Sequence, residues 1–234
     1  MRLVTVRGVP VYLKKSWFVL MALVIVGYGL YLAGFPGVDQ GRAFTISTTV
    51  ALLIALGVLI HELAHAMAGL FCHRRIQYIS MTLWGGVTKL SPGTAASSWV
   101  ISVAGPLVNL GYAGLLYAVL PVLPETGLGT GVAIAADANL MISLFNLVPS
   151  YPLDGGHALE AFLTMITGRR VSAMIATAWV GLSLIPILVI VVIFFGLWRS
   201  TPMLALAAFL GWYIWSSSIP ILKAFPHRGD SLRE

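Results

Sequence analysis

Two histidines and a glutamate stand at a spacing that can do chemistry: His61-Glu62-Leu63-Ala64-His65. On a helix, positions i and i+4 share a face about one turn apart. His61 and His65 can therefore offer two imidazoles to one zinc ion, and Glu62 can reach a zinc-bound water as general base. The pattern could also be two core histidines and a stray carboxylate. The surroundings argue against that. Apolar runs flank it, Val50-Ala51-Leu52-Leu53-Ile54-Ala55-Leu56 before and Met67-Ala68-Gly69-Leu70-Phe71 after. An ionisable group in such a helix costs at least ~2.5 kcal/mol on insertion scales, so it marks a functional site.

A catalytic zinc takes three protein ligands and keeps one position open. The third donor must come from elsewhere, and Asp154, His157 and Glu160 are the candidates. Asp154 is the best placed. It follows Pro149 and Pro152, where the apolar run breaks, and Gly155-Gly156 lets the backbone turn after it. A helix N-cap is the structural alternative for Asp154.

The elements that must position these groups are membrane helices. The chain has 234 residues, of which 59% are hydrophobic and 9% charged. Soluble domains carry about 25% charged residues. The expected fold is an all-α polytopic membrane protein with six transmembrane helices, at about 16–35, 44–71, 94–120, 132–148, 172–195 and 203–222. Trp17 and Tyr31 suit interfacial anchors of the first. A small β-hairpin or sheet is expected near the active site. The stretch 76–90 is too short and polar to span; it alternates and has a Gly85-Gly86 break, which reads as a hairpin or re-entrant strand. Such backbone is tolerated at depth only where it lines a cavity. Residues 1–15 read as a second short strand or hairpin at the membrane surface. Ala158 to Thr167 reads as a short helix.

His65 to Arg74 is nine residues, or ~13 Å of helix, which puts the metal below the membrane surface on its basic side. His73, beside Arg74 and Arg75, reads as solvated or as a helix-end cation. Asn109 is expected to bond across helices, and Asp137 to pair with a neighbouring helix rather than line a water path. Pro186 is a candidate kink in the fifth span. Cys72 is the single cysteine, so no intrachain disulfide forms.

The net charge of +6 does not require nucleic acid. Six spans put both termini on one side. That side holds Arg2, Arg7, Lys14, Lys15, Arg74, Arg75, Lys89, Arg169, Arg170, Lys223, Arg228 and Arg233, against only Arg42 and Arg199 on the other. Basic loops face the cytoplasm. Both termini, the Gly-Gly loop and the Asp154 loop are therefore expected there, in a multi-pass protein of the cell membrane.

At this point the chain resembles the site-2 protease family of intramembrane zinc metalloproteases. The resemblance is carried by His61-Glu62-Leu63-Ala64-His65, by Gly85-Gly86-Val87 followed by Ala104-Gly105-Pro106, and by Asn146-Leu147-Val148-Pro149-Ser150-Tyr151-Pro152-Leu153-Asp154-Gly155-Gly156. It implies one zinc per chain held by His61, His65 and Asp154, with Glu62 as base and Asn146 near the metal to stabilise an oxyanion. It implies that Gly85, Gly86 and Val87 belong to an edge strand that holds an unwound substrate. The substrate class is then a transmembrane protein segment, such as that of a membrane-anchored transcriptional regulator or anti-sigma factor. Three features depart from the family. Ala64 stands where Gly follows Leu in many members. His157 stands where Arg often follows the Gly-Gly, and neither a PDZ nor a CBS module is visible, so 1–234 reads as one catalytic domain.

Two other functions remain open. A membrane zinc or ion transporter also buries His and Asp, but such folds favour internal repeats, and none is seen. A catalytically inactive protease-like binding protein would not need Glu62. A third variant keeps the activity but makes Glu160 the ligand. The small core suggests a bacterial or archaeal membrane, and monomer and homodimer both stay open.

Overall fold

The computed structural model describes residues 2–6, 9–82 and 85–225. Arg7, Arg228 and Arg233 of the charge pattern, and residues 83–84, lie outside the described residues. Among those described, six helices are long and apolar enough to cross a membrane: Lys15–Ala33, Gln40–Phe71, Ala95–Val122, Gly127–Asn146, Arg170–Phe194 and Met203–Ala224. They match the six expected spans, with ends displaced by a few residues.

The chain divides into two compact units, Met1–Gly93 with Ala104–Phe145, and Thr94–Val103 with Asn146–Glu234. In the first unit, the opening span is not uniform. Helix α1 (Lys15–Ala22) and helix α2 (Gly29–Ala33) are joined by a π-helical turn, Leu23–Tyr28. A π turn disturbs the i→i−4 ladder and frees carbonyls. Ser47 Oγ takes one of them, donating to the Ile25 carbonyl at 2.9 Å. In a lipid setting that bond matters, because water is not there to make it.

Helix α3 (Gln40–Phe71) is the long element that carries the histidines. Asp39 caps it, accepting from the Arg42 N–H at 2.9 Å. At its other end His73 adopts a left-handed φ of 56°. The His73 N–H donates to the Leu70 carbonyl at 3.0 Å and the Arg74 N–H to Gly69 at 2.8 Å. That is a Schellman closure, with His73 in the position glycine usually fills.

The strands β1 (Arg2–Val6), β2 (Val9–Leu13), β3 (Ile76–Thr82) and β4 (Gly85–Leu90) form one sheet in that order. The expected terminal hairpin is present, β1 against β2. It joins the second hairpin through a parallel β2–β3 pairing in which Tyr12 faces Ser80 and Leu13 faces Met81. Strand β4 is left as an edge. Ile79 and Met81 are buried; Ile79 packs with Ala66 and Leu63 of α3.

Helix α4 (Ala95–Val119) from Ala104 on, and helix α5 (Gly127–Asn146) up to Phe145, complete the first unit. Leu116 of α4 packs with Val132, Ala135 and Ala136 of α5. Ser143 Oγ donates to the Pro106 carbonyl at 2.7 Å. Asn109 is fully buried, and its amide has no hydrogen-bond partner among the described residues, so the expected cross-helix bond is not made. Asp137 does pair with a neighbouring helix: it accepts from the Tyr117 hydroxyl of α4, on the exposed face of α5.

The second unit is built on α6 (Asp154–Thr167), α7 (Arg170–Phe194) and α8 (Thr201–Ala224). Helix α6 stops at Gly168, whose φ of 68° gives the left-handed turn into Arg169-Arg170. Helix α7 continues through Pro186.

Candidate metal centre

The i, i+4 spacing does what the sequence leads one to expect. His61 and His65 lie on one face of α3, 6% and 7% exposed, with their Nε2 atoms 3.0 Å apart. Their rings meet edge to face, with centroids separated by 4.7 Å. Two imidazole nitrogens bound to one zinc at ~2.0–2.1 Å stand roughly 3–3.4 Å apart. The pair is therefore spaced for a shared ion.

Gly105 tests whether there is room for one. A Cβ there would lie 2.4 Å from His65 Nε2 and 2.7 Å from His61 Nε2. A side chain at 105 would crowd both Nε2 atoms, and glycine leaves them uncovered on that side. The residues present fit a metal.

Glu62 is 5% exposed and is held from β4. Thr88 Oγ1 donates to Glu62 Oε2 at 2.6 Å and lies 3.1 Å from the Glu62 carbonyl. Gly86 packs against the same side chain: a Cβ at 86 would come within 2.2–2.5 Å of Glu62 Cγ, Cδ and Oε1. Strand alternation puts 86 and 88 on one face, so both touch Glu62. This corrects the reading of the glycine pair as the hairpin break. Gly85 and Gly86 are the first residues of β4, paired with Thr82 and Met81. Gly85 has a φ of 107°, while Gly86 is needed for close approach. Val87 points away from Glu62 and is exposed.

In the second unit, Asn146 is the last residue of α5 and is half-buried. Asp154 is the first helical residue of α6; Leu153 holds the N-cap position. Asp154 is thus not the cap that the alternative reading made it. Gly155 and Gly156 do not supply a left-handed turn either. They lie inside the first turn of α6, where a Cβ at 155 would be 2.3 Å from the Leu147 carbonyl oxygen and one at 156 would be 2.6 Å from that of Ser150. Close backbone packing, not unusual φ, demands glycine there.

Glu160 is committed elsewhere. It accepts from the Tyr151 hydroxyl at 2.7 Å and from Arg170 Nε at 3.0 Å, with His157 Nδ1 3.9 Å away. Burial alone would raise its pKa, but hydrogen bonding to His157, Tyr151 and Arg170 outweighs burial and brings it down to about 2. Burial and the same carboxylate push the Tyr151 hydroxyl up. His157, about half-exposed, sits edge-on to the Tyr151 ring. Glu160 and His157 thus belong to a cluster with Tyr151 and Arg170.

Comparison with known proteins bears on the family. Residues 123–191 match peptidase family M50. The chain is 33% identical over 178 residues, 74% of its length, to a putative zinc metalloprotease of Synechocystis, of which it covers 47%. It is 28% identical over 197 residues to a zinc metalloprotease of Methanocaldococcus jannaschii, covering 84% of this chain and 53% of that protein. The chain thus spans about half the length of these curated relatives. Its fold resembles the solved site-2 protease from the same archaeon, with a TM-score of 0.62, 24% identity and 93% and 94% of the two chains covered. With its six apolar helices, this is a multi-pass membrane protein, and the chain belongs to peptidase family M50, the site-2 protease family.

Proposed function

We propose that the chain is an intramembrane zinc endopeptidase that cuts peptide bonds in or near transmembrane segments of membrane-anchored proteins. The observation that carries this reading is the His61–His65 nitrogen pair, 3.0 Å apart beside the bare Cα of Gly105, with Glu62 next in the chain.

In this reading His61, His65 and Asp154 hold one zinc per chain, a set that could hold one ion. Two imidazoles and a carboxylate are the donor composition of a hydrolytic zinc site. A zinc bound there supplies a water with a pKa near ~7 and polarises the scissile carbonyl. Glu62 takes the proton of the attacking water and returns it to the leaving amine. Thr88 fixes the carboxylate that does so. The Asn146 amide donates to the oxyanion.

A helical substrate hides its carbonyls in hydrogen bonds and must unwind before attack. The free edge of β4, at Gly85, Gly86 and Val87, can pair with the unwound strand and replace those bonds. Residues 1–234 then act as a single intramembrane metalloprotease domain. The substrate class is a membrane-anchored transcriptional regulator or anti-sigma factor. Twelve basic residues against two support a cytoplasmic location for both termini and for the opening of the site.

The test is metal content. Purified protein is expected to carry one zinc per chain, and His65→Ala and Asp154→Asn are each expected to lose most of it. Full zinc in Asp154→Asn would remove Asp154 from the ligand set. A metal-free wild type that cannot be loaded would sink the whole reading.

A further inference from the structure

The sheet has a second face. The alternation that turns Ile79, Met81, Gly86 and Thr88 one way turns Tyr78, Ser80, Thr82 and Val87 the other. Tyr12 joins them because it pairs with Ser80, and Lys14 follows two residues on. These six line a cavity of about 450 Å³.

Three observations give the cavity its chemistry. The first is charge: Lys14 lines it, Lys89 reaches over the Tyr78 ring with Nζ 6.0 Å from the centroid, and among the described residues none that lines it is acidic. The second is Ser80. Its side chain is 5% exposed, yet its Oγ has no hydrogen-bond partner among the described residues. A buried hydroxyl in that state is suited to a ligand. The third is position. Lys14 immediately precedes the first candidate span, Lys15–Ala33. The cavity therefore sits where a helix enters the bilayer, at headgroup level. Tyr12 and Tyr78, with apolar rings and polar tips, belong to the same zone.

We propose that this cavity binds the phosphate of an anionic phospholipid from the leaflet that the first span enters. Lys14 and Lys89 supply the charge, and the hydroxyls of Ser80, Tyr12 and Tyr78 supply donors to phosphate oxygens. The opposite face of the same strands packs on Glu62, so a lipid held here sits on the outer side of the strand that positions the base. The site stands whether or not the chain is a protease.

Lipid binding to the full chain in detergent, measured by native mass spectrometry with phosphatidylglycerol and phosphatidylcholine, tests this. Wild type is expected to prefer phosphatidylglycerol. The exposed-lysine double variant Lys14→Gln/Lys89→Gln is expected to weaken that binding about 10- to 30-fold. Ser80→Ala should weaken it several-fold, and Lys14→Arg/Lys89→Arg should keep it. Lys223→Gln, which removes an exposed cation in the other unit, should change nothing. Undiminished binding in the double glutamine variant, equal binding of the two lipids, or an equal loss in Lys223→Gln would overturn the proposal. So would displacement of the lipid by millimolar inorganic phosphate, which would make this a site for the free ion.

Discussion

Thr88 donates a hydrogen bond to the carboxylate of Glu62 at 2.6 Å, from a strand that begins 23 residues beyond it in the chain. The long helix sets where Glu62 starts; the strand sets where its carboxylate ends. Hydrogen bonds to a charged group contribute roughly 1.5–3 kcal/mol. Thr88→Val is expected to lower cleavage about tenfold or more while zinc content holds, and Thr88→Ser should restore most of it. Equal activity in Thr88→Val, measured on one membrane-helix substrate, would show that the bond does not position the base.

Gly105→Ala should act on the metal instead. Alanine is the better helix former, by about 1 kcal/mol, yet its Cβ would lie 2.4 Å from His65 Nε2. Zinc per chain is expected to fall steeply with the fold intact. Gly111→Ala and Gly114→Ala meet nothing within 4 Å and serve as controls that keep zinc. Full zinc in Gly105→Ala would mean the ion does not lie between the two rings.

Gly86→Ala should separate the two effects. Its Cβ would press on Glu62, whose Cγ, Cδ and Oε1 are its three nearest atoms at 2.2–2.5 Å. Cleavage is expected to be lost with zinc retained, as read by activity and metal analysis on the same preparation. Loss of both together would mean that the sheet supports the metal as well.

The Glu160 cluster predicts an acid limb of stability. The carboxyl lies at about 2 in the folded chain against an ordinary value of 4.5. The unfolded chain therefore binds a proton first as pH falls. The contribution is full above about pH 4.5 and is lost between there and about pH 2. Thermal melts of Glu160→Gln should lack that pH-dependent loss. A wild-type melt that is flat over the same window would contradict the ion-pair assignment.

Much of this was legible from residue order. The histidine pair follows from helical geometry alone, and the six spans follow from apolar length, because both are local properties. The break in the first span was not legible: the Leu23–Tyr28 turn is as apolar as its neighbours, and its partner Ser47 lies 22 residues beyond Ile25. Nor was the joining of the two hairpins, since parallel pairing of 11–13 with 79–81 leaves no short-range mark. Thr88 had a weak signal. Once Gly86 is placed against Glu62, the residue two along a strand must share that face. From sequence, Gly155 and Gly156 suggest turning freedom, whereas close approach to the 147–151 backbone is what requires them. Asn109 escaped for the same reason, because burial without a partner depends on the whole packing around it.

The most direct test of the central claim is cleavage of a transmembrane-helix substrate by purified wild type and by Glu62→Gln, with zinc measured in both. Zinc is expected to be equal in the two proteins, with cleavage by wild type and none by the variant. Equal cleavage by the two proteins would contradict it, because Glu62 would then not be the base.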